Sequence, residues 1–290
     1  MQATLKTSLA ERLRQPGLVS APGVYDMISA RIADAMGFAA LYMTGYGVVA
    51  SHLGLPDAGL ASYADMVERV RMLAQGTRTP LIADGDTGYG GLLNIAHTVR
   101  GYEGAGAAAI QIEDQEFPKK CGHTPGRRVV PLPEAVNRIK VASQARTSRD
   151  FLIIARTDAR TSLGLDEALR RAEAFAKAGA DLLFVESPES VAEMEQIGRS
   201  FDLPLVANMV DGGRTPVLPA AELAALGFKL AIFPATGFLA AGAALSAAYA
   251  HLRETGSSAG HTGELYRFDA FSRLMGFEQV WEFERNHVET

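Results

Sequence analysis

Short, almost wholly apolar runs recur eight times along the chain, at 18–23, 40–44, 80–84, 108–114, 151–156, 181–186, 204–209 and 229–234. Strands buried on both faces read this way, whereas half-exposed strands alternate. Helical patterns separate them. Over 166–180, Ala168, Ala172, Phe175 and Ala176 share a face, Glu167 and Arg171 form an i,i+4 pair, and Gly179 supplies the stop. The segment 63–76 has the same form. Strand–helix alternation implies a parallel sheet. Eight units within 290 residues fit a closed (β/α)8 TIM-type barrel. Two open βα domains are the alternative, but no Pro/Ser/Gly-rich linker divides the chain. The expectation is one domain over 1–290, with 255–290 a C-terminal helical extension engaged in subunit contacts.

Composition narrows the functional classes. A formal net charge of −5 argues against nucleic acid or an anionic membrane as partner. One cysteine rules out an internal disulfide. The first residues are polar and amphipathic, unlike a signal peptide. The apolar run 230–250 is long enough to raise a membrane question, but Pro234, its glycines and its alanines fit a strand followed by a buried Ala-rich helix. A cytoplasmic enzyme is expected. The tail 266–287 carries Phe268, Phe271, Leu274, Phe277, Val280, Trp281 and Phe283, apolar surface that needs a cover, such as a neighbouring subunit.

The chemistry concentrates where strands end. Thr44 follows the second strand, Asp84 and Asp86 the third, Glu113 and Asp114 the fourth, Arg156 and Asp158 the fifth, Glu186 the sixth and Asn208 the seventh. In a barrel these positions meet at the C-terminal face, where active sites are built. Loops are polar anyway, so some such endings arise by chance. Asp57, Asp84, Asp86 and Glu113 would crowd like charges, which needs a compensating cation. Oxygen ligands without a Cys/His pair suit Mg²⁺, or Mn²⁺, rather than Zn²⁺. The glycines of TGYGVVA (44–50) lack the context of a dinucleotide site, and DGDTGYGG (84–91) lacks the Lys-Ser/Thr of a P-loop.

The single cysteine lies in EFPKKCGHTPGRR (116–128). Lys119, Lys120 and His123 would favour its thiolate, and Gly122 and Gly126 provide hinges. Such a loop suits a lid carrying an acid–base thiol over an anionic substrate. The plainer alternative is a cysteine placed by accident on a solvated basic loop.

At these residues the chain resembles the isocitrate lyase/phosphoenolpyruvate mutase superfamily, over about residues 20–285. The stretches that carry the resemblance are LYMTGYGVVASHLGLPDAG, LIADGDTGYG, IQIEDQEFPKKCGH, IIARTDA, LLFVESP and LVANMVDGG. KKCGH looks like the gating loop of the lyase branch, which implies cleavage of a carbon–carbon bond. The resemblance implies Asp84 as the direct metal ligand, with Asp57, Asp86 and Glu113 acting largely through waters. It implies a substrate carboxylate on Thr44, Gly45 and Tyr46, and Arg156 on the 2-oxo acid oxygens. Tyr42 would handle the hydroxyl proton and Cys121 would be the general acid, with Lys120, Gly122 and His123 beside it. Glu186, Asn208 and Pro234 would line the substrate site. A homotetramer built as a dimer of dimers, with helices exchanged between paired subunits, is also implied.

One departure bears on substrate. Methylisocitrate lyases carry an arginine where this chain has Leu239, and no substitute for their second arginine stands near HTGELY. A third carboxylate would then be buried unpaired, although Arg214 could still rescue it. FVESP and ANMVDGGRTP resemble the malate-type lyases instead. The expected function is a Mg²⁺-dependent lyase for a 2-hydroxy or 2-alkyl malate-like dicarboxylate. Oxaloacetate hydrolysis or decarboxylation and methylisocitrate cleavage are the enzymatic alternatives. A non-catalytic binding barrel has no use for a lid acid. A Schiff-base aldolase needs a lysine at a strand end, and Lys229 starts its strand.

Overall fold

The structure, a computed structural model, describes residues 8–122, 124 and 126–287. Eight parallel strands close into a barrel: β1 (Val19–Val24), β2 (Leu41–Met43), β3 (Leu81–Asp84), β4 (Ala109–Glu113), β5 (Leu152–Thr157), β6 (Leu182–Val185), β7 (Leu205–Asn208) and β8 (Phe228–Phe233). Each pairs with its sequence neighbour, and β8 returns to β1 with Val19 opposite Leu230. All eight apolar runs are strands, so the open two-domain alternative fails.

Alternation along the strands makes two cores. Ala21, Ile82, Ala109, Ile154, Phe184, Val206 and Ile232 point inward and fill the barrel, and Leu9 and Leu13 of the helix Leu9–Arg14 join that inner cluster. Their neighbours Leu41, Met43, Ala83, Ile110, Ile153, Leu183 and Ala207 point outward and meet the helices. The helix Leu165–Ala178 buries Ala168, Ala172 and Phe175, as its spacing requires, and stops at Gly179 with φ 104°. The Glu167–Arg171 pair forms at 2.9 Å.

The eighth helical unit departs from expectation. The helix Thr236–Thr255 was expected to be buried, yet none of its residues is buried within the chain. Leu245, Tyr249 and Leu252 are exposed, and so are Phe268, Phe277, Val280, Trp281 and Phe283 of the terminal helices Phe268–Leu274 and Phe277–His287. Phe238 at its start packs against Tyr25 and Tyr46, but most of the rest of the Ala-rich helix is exposed among the described residues, which explains the difference. Among the described residues no helix is long and apolar enough to cross a membrane.

Candidate active site

The inward period of two does not stop where the apolar residues do. Ile82 is followed by Asp84, Ala109 by Gln111 and Glu113, Ile154 by Arg156, Phe184 by Glu186 and Val206 by Asn208. The top inward layer of the barrel is therefore polar, and every one of these side chains is buried. Outward-facing Asp114 instead accepts from Thr157, the Asp158 backbone and Arg171, tying strands to the helix layer.

Asp84, Asp86 and Glu113 come together with Asp57, as the sequence suggested, but around a lysine. The Lys119 ammonium pairs with Asp57 and lies 2.6 Å from Asp86. Lys119 was expected to bias the thiol, and the structure corrects this: its charge is spent on the acids. Burial pushes Asp84 up, with Lys119 opposing. It raises Asp86 to about 7, again against Lys119, and it lifts Glu113 well above the carboxylate range despite Arg156. One ammonium does not satisfy this set: Glu113 Oε1 is buried without a hydrogen-bond partner. Among the described residues no ready-made group of three ligands converges as the side chains stand, and the Lys119 ammonium lies between Asp57 and Asp86. Buried, undercompensated carboxylate oxygens fit a hard divalent cation.

Around them, Tyr42 donates to Gln111 Oε1 at 3.1 Å, and Gln111 Nε2 donates to Asp84 at 3.2 Å. Burial, and then the Asp84 charge, push the Tyr42 hydroxyl well above the phenol range, so Tyr42 stays a donor. Thr44 caps the helix Gly45–Leu53, whose first N–H groups and dipole make an anion site. A Cβ on Gly45 would come within 2.7 Å of Asp84 Oδ2, so only glycine lets the helix start approach the acids this closely. Arg156 grips Asp158 with two bonds of 2.9 Å and lies 3.5 Å from Glu113 and 3.4 Å from Glu186. Asn208 donates to Glu186 at 3.0 Å.

A cavity of about 260 Å³ opens above. Of the residues expected at the site, Tyr42, Thr44, Tyr46, Asp57, Asp84, Cys121 and Pro234 line it. Gly45, Asp86, Glu113, Gly122, Arg156, Glu186 and Asn208 do not, and for Arg156 and Glu186 the loop 116–128 is the reason. Gly122 lies on Arg156 and Glu186 so closely that a Cβ there would collide with Arg156 Nη2 and approach Glu186 Cδ to 2.9 Å. Lys120 is exposed and donates to the Gly126 carbonyl at 3.3 Å, away from the cavity. His123 lies outside the described residues. Sequence reasoning missed Gln111, Arg127 and Ser187. Gln111 was detectable as an amide in the middle of an apolar strand, while the other two emerge only when loops meet.

Residues 9–253 match the phosphoenolpyruvate phosphomutase family. The chain belongs to the phosphoenolpyruvate mutase/isocitrate lyase superfamily. Within it, the chain is 46% identical to 2,3-dimethylmalate lyase of Eubacterium barkeri over 97% of both chains. It is 41% identical to 2-methylisocitrate lyase of Bacillus subtilis, over 86% of this chain and 83% of that one. A solved oxaloacetate acetylhydrolase bound to 3,3-difluorooxalacetate superposes with a TM-score of 0.93 at 35% identity, covering 98% of this chain and 97% of that chain. A superfamily structure of phosphonopyruvate hydrolase, holding oxalate and Mg²⁺, gives 0.84 at 31% identity, over 94% and 95%.

Proposed function

We propose that this chain is a cytoplasmic Mg²⁺-dependent lyase that cleaves a carbon–carbon bond in an alkyl-substituted 2-hydroxy dicarboxylate of the malate type. The products are a 2-oxo acid and a carboxylate. The observation that carries the substrate class is the outer wall of the cavity. Tyr46, Val210, Pro234, Ala235, Phe238 and Leu239 form its apolar part, beside Thr124 and Asp211, and among the described lining residues none is Lys or Arg. Arg214 is turned to Glu189 at 3.3 Å. An alkyl group gains from such a wall, whereas a third carboxylate would lose its water without a partner.

Asp84 would hold Mg²⁺ directly, with Asp57, Asp86 and Glu113 holding its waters. Bound there, the ion would polarise the substrate hydroxyl and adjacent carboxylate. The residues of the chain do the rest. The N–H groups of Gly45 and Tyr46, with Thr44, take the second carboxylate. Arg156, held by Asp158, meets the oxygens of the nascent 2-oxo acid with a planar fork that lysine lacks. Tyr42, a neutral donor held by Gln111 and so not the proton acceptor that the resemblance implied, orients the hydroxyl oxygen, and as the carbonyl forms the hydroxyl proton passes through a water to the carboxylate of Glu113. As the bond breaks, its electron pair stays on the carbon beside the departing carboxylate, and Cys121, which lines the same cavity as Asp84 and Tyr42, gives that carbon a proton.

Hydrolysis of oxaloacetate is the second reading, favoured by the similarity to oxaloacetate acetylhydrolase. An unsubstituted substrate leaves the apolar wall unfilled, so it ranks below. The exposed helix Thr236–Thr255 and terminal helices support a homotetramer, a dimer of dimers, in which a partner chain covers them. The test is a panel of malates, alkylmalates, methylisocitrate and oxaloacetate, assayed for 2-oxo acid release with Mg²⁺ and with EDTA, beside Asp84→Ala. Alkylmalates should lead, and EDTA and Asp84→Ala should each abolish release. Chelator-resistant activity would overturn the metal reading, and preference for methylisocitrate the wall argument.

A further inference from the structure

Ser187 follows β6, one residue beyond Glu186. It is fully buried and sits at φ 58°, a conformation that disfavours any side chain and that glycine adopts readily. A serine kept there points to a use for its hydroxyl. The Ser187 Oγ is 3.0 Å from the carbonyl of Gly122 in the lid and 3.0 Å from Glu186 Oε1. One hydroxyl proton thus faces two acceptors, one on the lid and one in the site. The same Oγ lies 3.4 Å from Arg127 Nη2, at the far end of the lid. Arg127 in turn pairs with Asp158 at 2.5 Å and donates to Thr161 at 2.6 Å. On the opposite side, the Cys121 N–H donates to the Asp57 carbonyl at 3.2 Å. Cys121 and Gly122 are thereby held from both flanks of the barrel mouth, the first through its N–H and the second through its carbonyl.

We propose that Ser187 is a positioning residue, the latch that seats the lid and fixes where Cys121 stands over the cavity. Its left-handed backbone turns the hydroxyl toward the lid carbonyl instead of along the strand. Because Gly122 lies on Arg156 and Glu186, a seated lid covers the groups that the 2-oxo acid oxygens must reach. Substrate entry therefore requires the Ser187–Gly122 bond to break, with the hydroxyl turning to Glu186. Its return to Gly122 marks closure. The consequence for turnover rests on the lyase reading of Cys121, whereas the latch itself does not.

Cys121 is the chain's only cysteine, so its alkylation reports lid opening without any substrate. Intact Ser187→Gly and Ser187→Ala proteins would be treated with iodoacetamide in Mg²⁺ buffer, and modification followed by whole-protein mass spectrometry. Loss of one hydrogen bond from the seated state should raise the alkylation rate roughly three- to tenfold. Ser187→Gly should melt no lower than wild type, because it relieves the backbone, so general loosening cannot account for the increase. Gly122→Ala, which cannot seat, should react at least as fast. In the lyase assay the serine variants should lose kcat with KM changed less than threefold, roughly the lower bound of the same bond. Wild-type alkylation rates in both serine variants would overturn the latch. Faster alkylation with undiminished kcat would keep the latch and refute Cys121 as the acid.

Discussion

Replacing Lys119 with methionine removes the ammonium that pairs with Asp57 and Asp86 while keeping much of the length of its stem. The side chains of Lys119 and Asp57 are 4% and 6% exposed, and Asp86 is similarly covered. Removing one partner of a buried pair costs roughly 3–5 kcal/mol. At roughly 2–4 °C per kcal/mol, Lys119→Met should melt about 10 °C below wild type in EDTA. Mg²⁺ should then restore much of the loss, since a ligand at a hundredfold excess over its Kd adds about 2.7 kcal/mol. In wild type the ammonium already compensates part of the charge on the acids, so the Mg²⁺ shift should be smaller. The assay is a thermal melt of both proteins with EDTA and across a Mg²⁺ series. Equal Mg²⁺ shifts in the two proteins, or no loss in EDTA, would refute the view that lysine and metal answer the same charge deficit.

Three further outcomes follow from the site and the exposed helices. Cys121→Ser should lose at least about a hundredfold in kcat, the usual scale for a lost acid–base group. Its melting point should stay within about 3 °C, because a half-buried loop residue contributes little packing. Leu239→Arg should raise kcat/KM for methylisocitrate relative to an alkylmalate by about tenfold or more, by giving a third carboxylate a partner, and an unchanged ratio would remove Leu239 from the specificity argument. Light scattering should give a tetramer, and truncation near residue 260 should break it down. A stable monomer at micromolar concentration would contradict the partner-covered helices.

The barrel was legible because buried parallel strands are written as apolar runs, and the same alternation carried Asp84, Glu113, Arg156, Glu186 and Asn208 into one layer. What lay outside sequence reasoning was contact between loops. Lys119 and Lys120 read alike as lid cations, yet one turns into the acids and the other toward Gly126. Which way each turns depends on where the 117–122 segment crosses the barrel mouth. Ser187 looked like part of a strand-end motif, and only its φ and its distance from Gly122 reveal a role. The Ala-rich helix misled for a different reason: small residues predict close packing, but not whether the packing partner is the same chain.

The fate of the carbon released in cleavage separates retro-aldol chemistry at this site from its alternatives. With 2,3-dimethylmalate and Mg²⁺ in D₂O, followed by NMR, a retro-aldol cleavage with Cys121 as acid must give pyruvate and propionate in equal amounts. Cys121 exchanges its proton with solvent, so the propionate must carry a single deuterium at C2. Absence of both products, or release of oxalate and acetate from oxaloacetate at a far higher kcat/KM, would contradict the account.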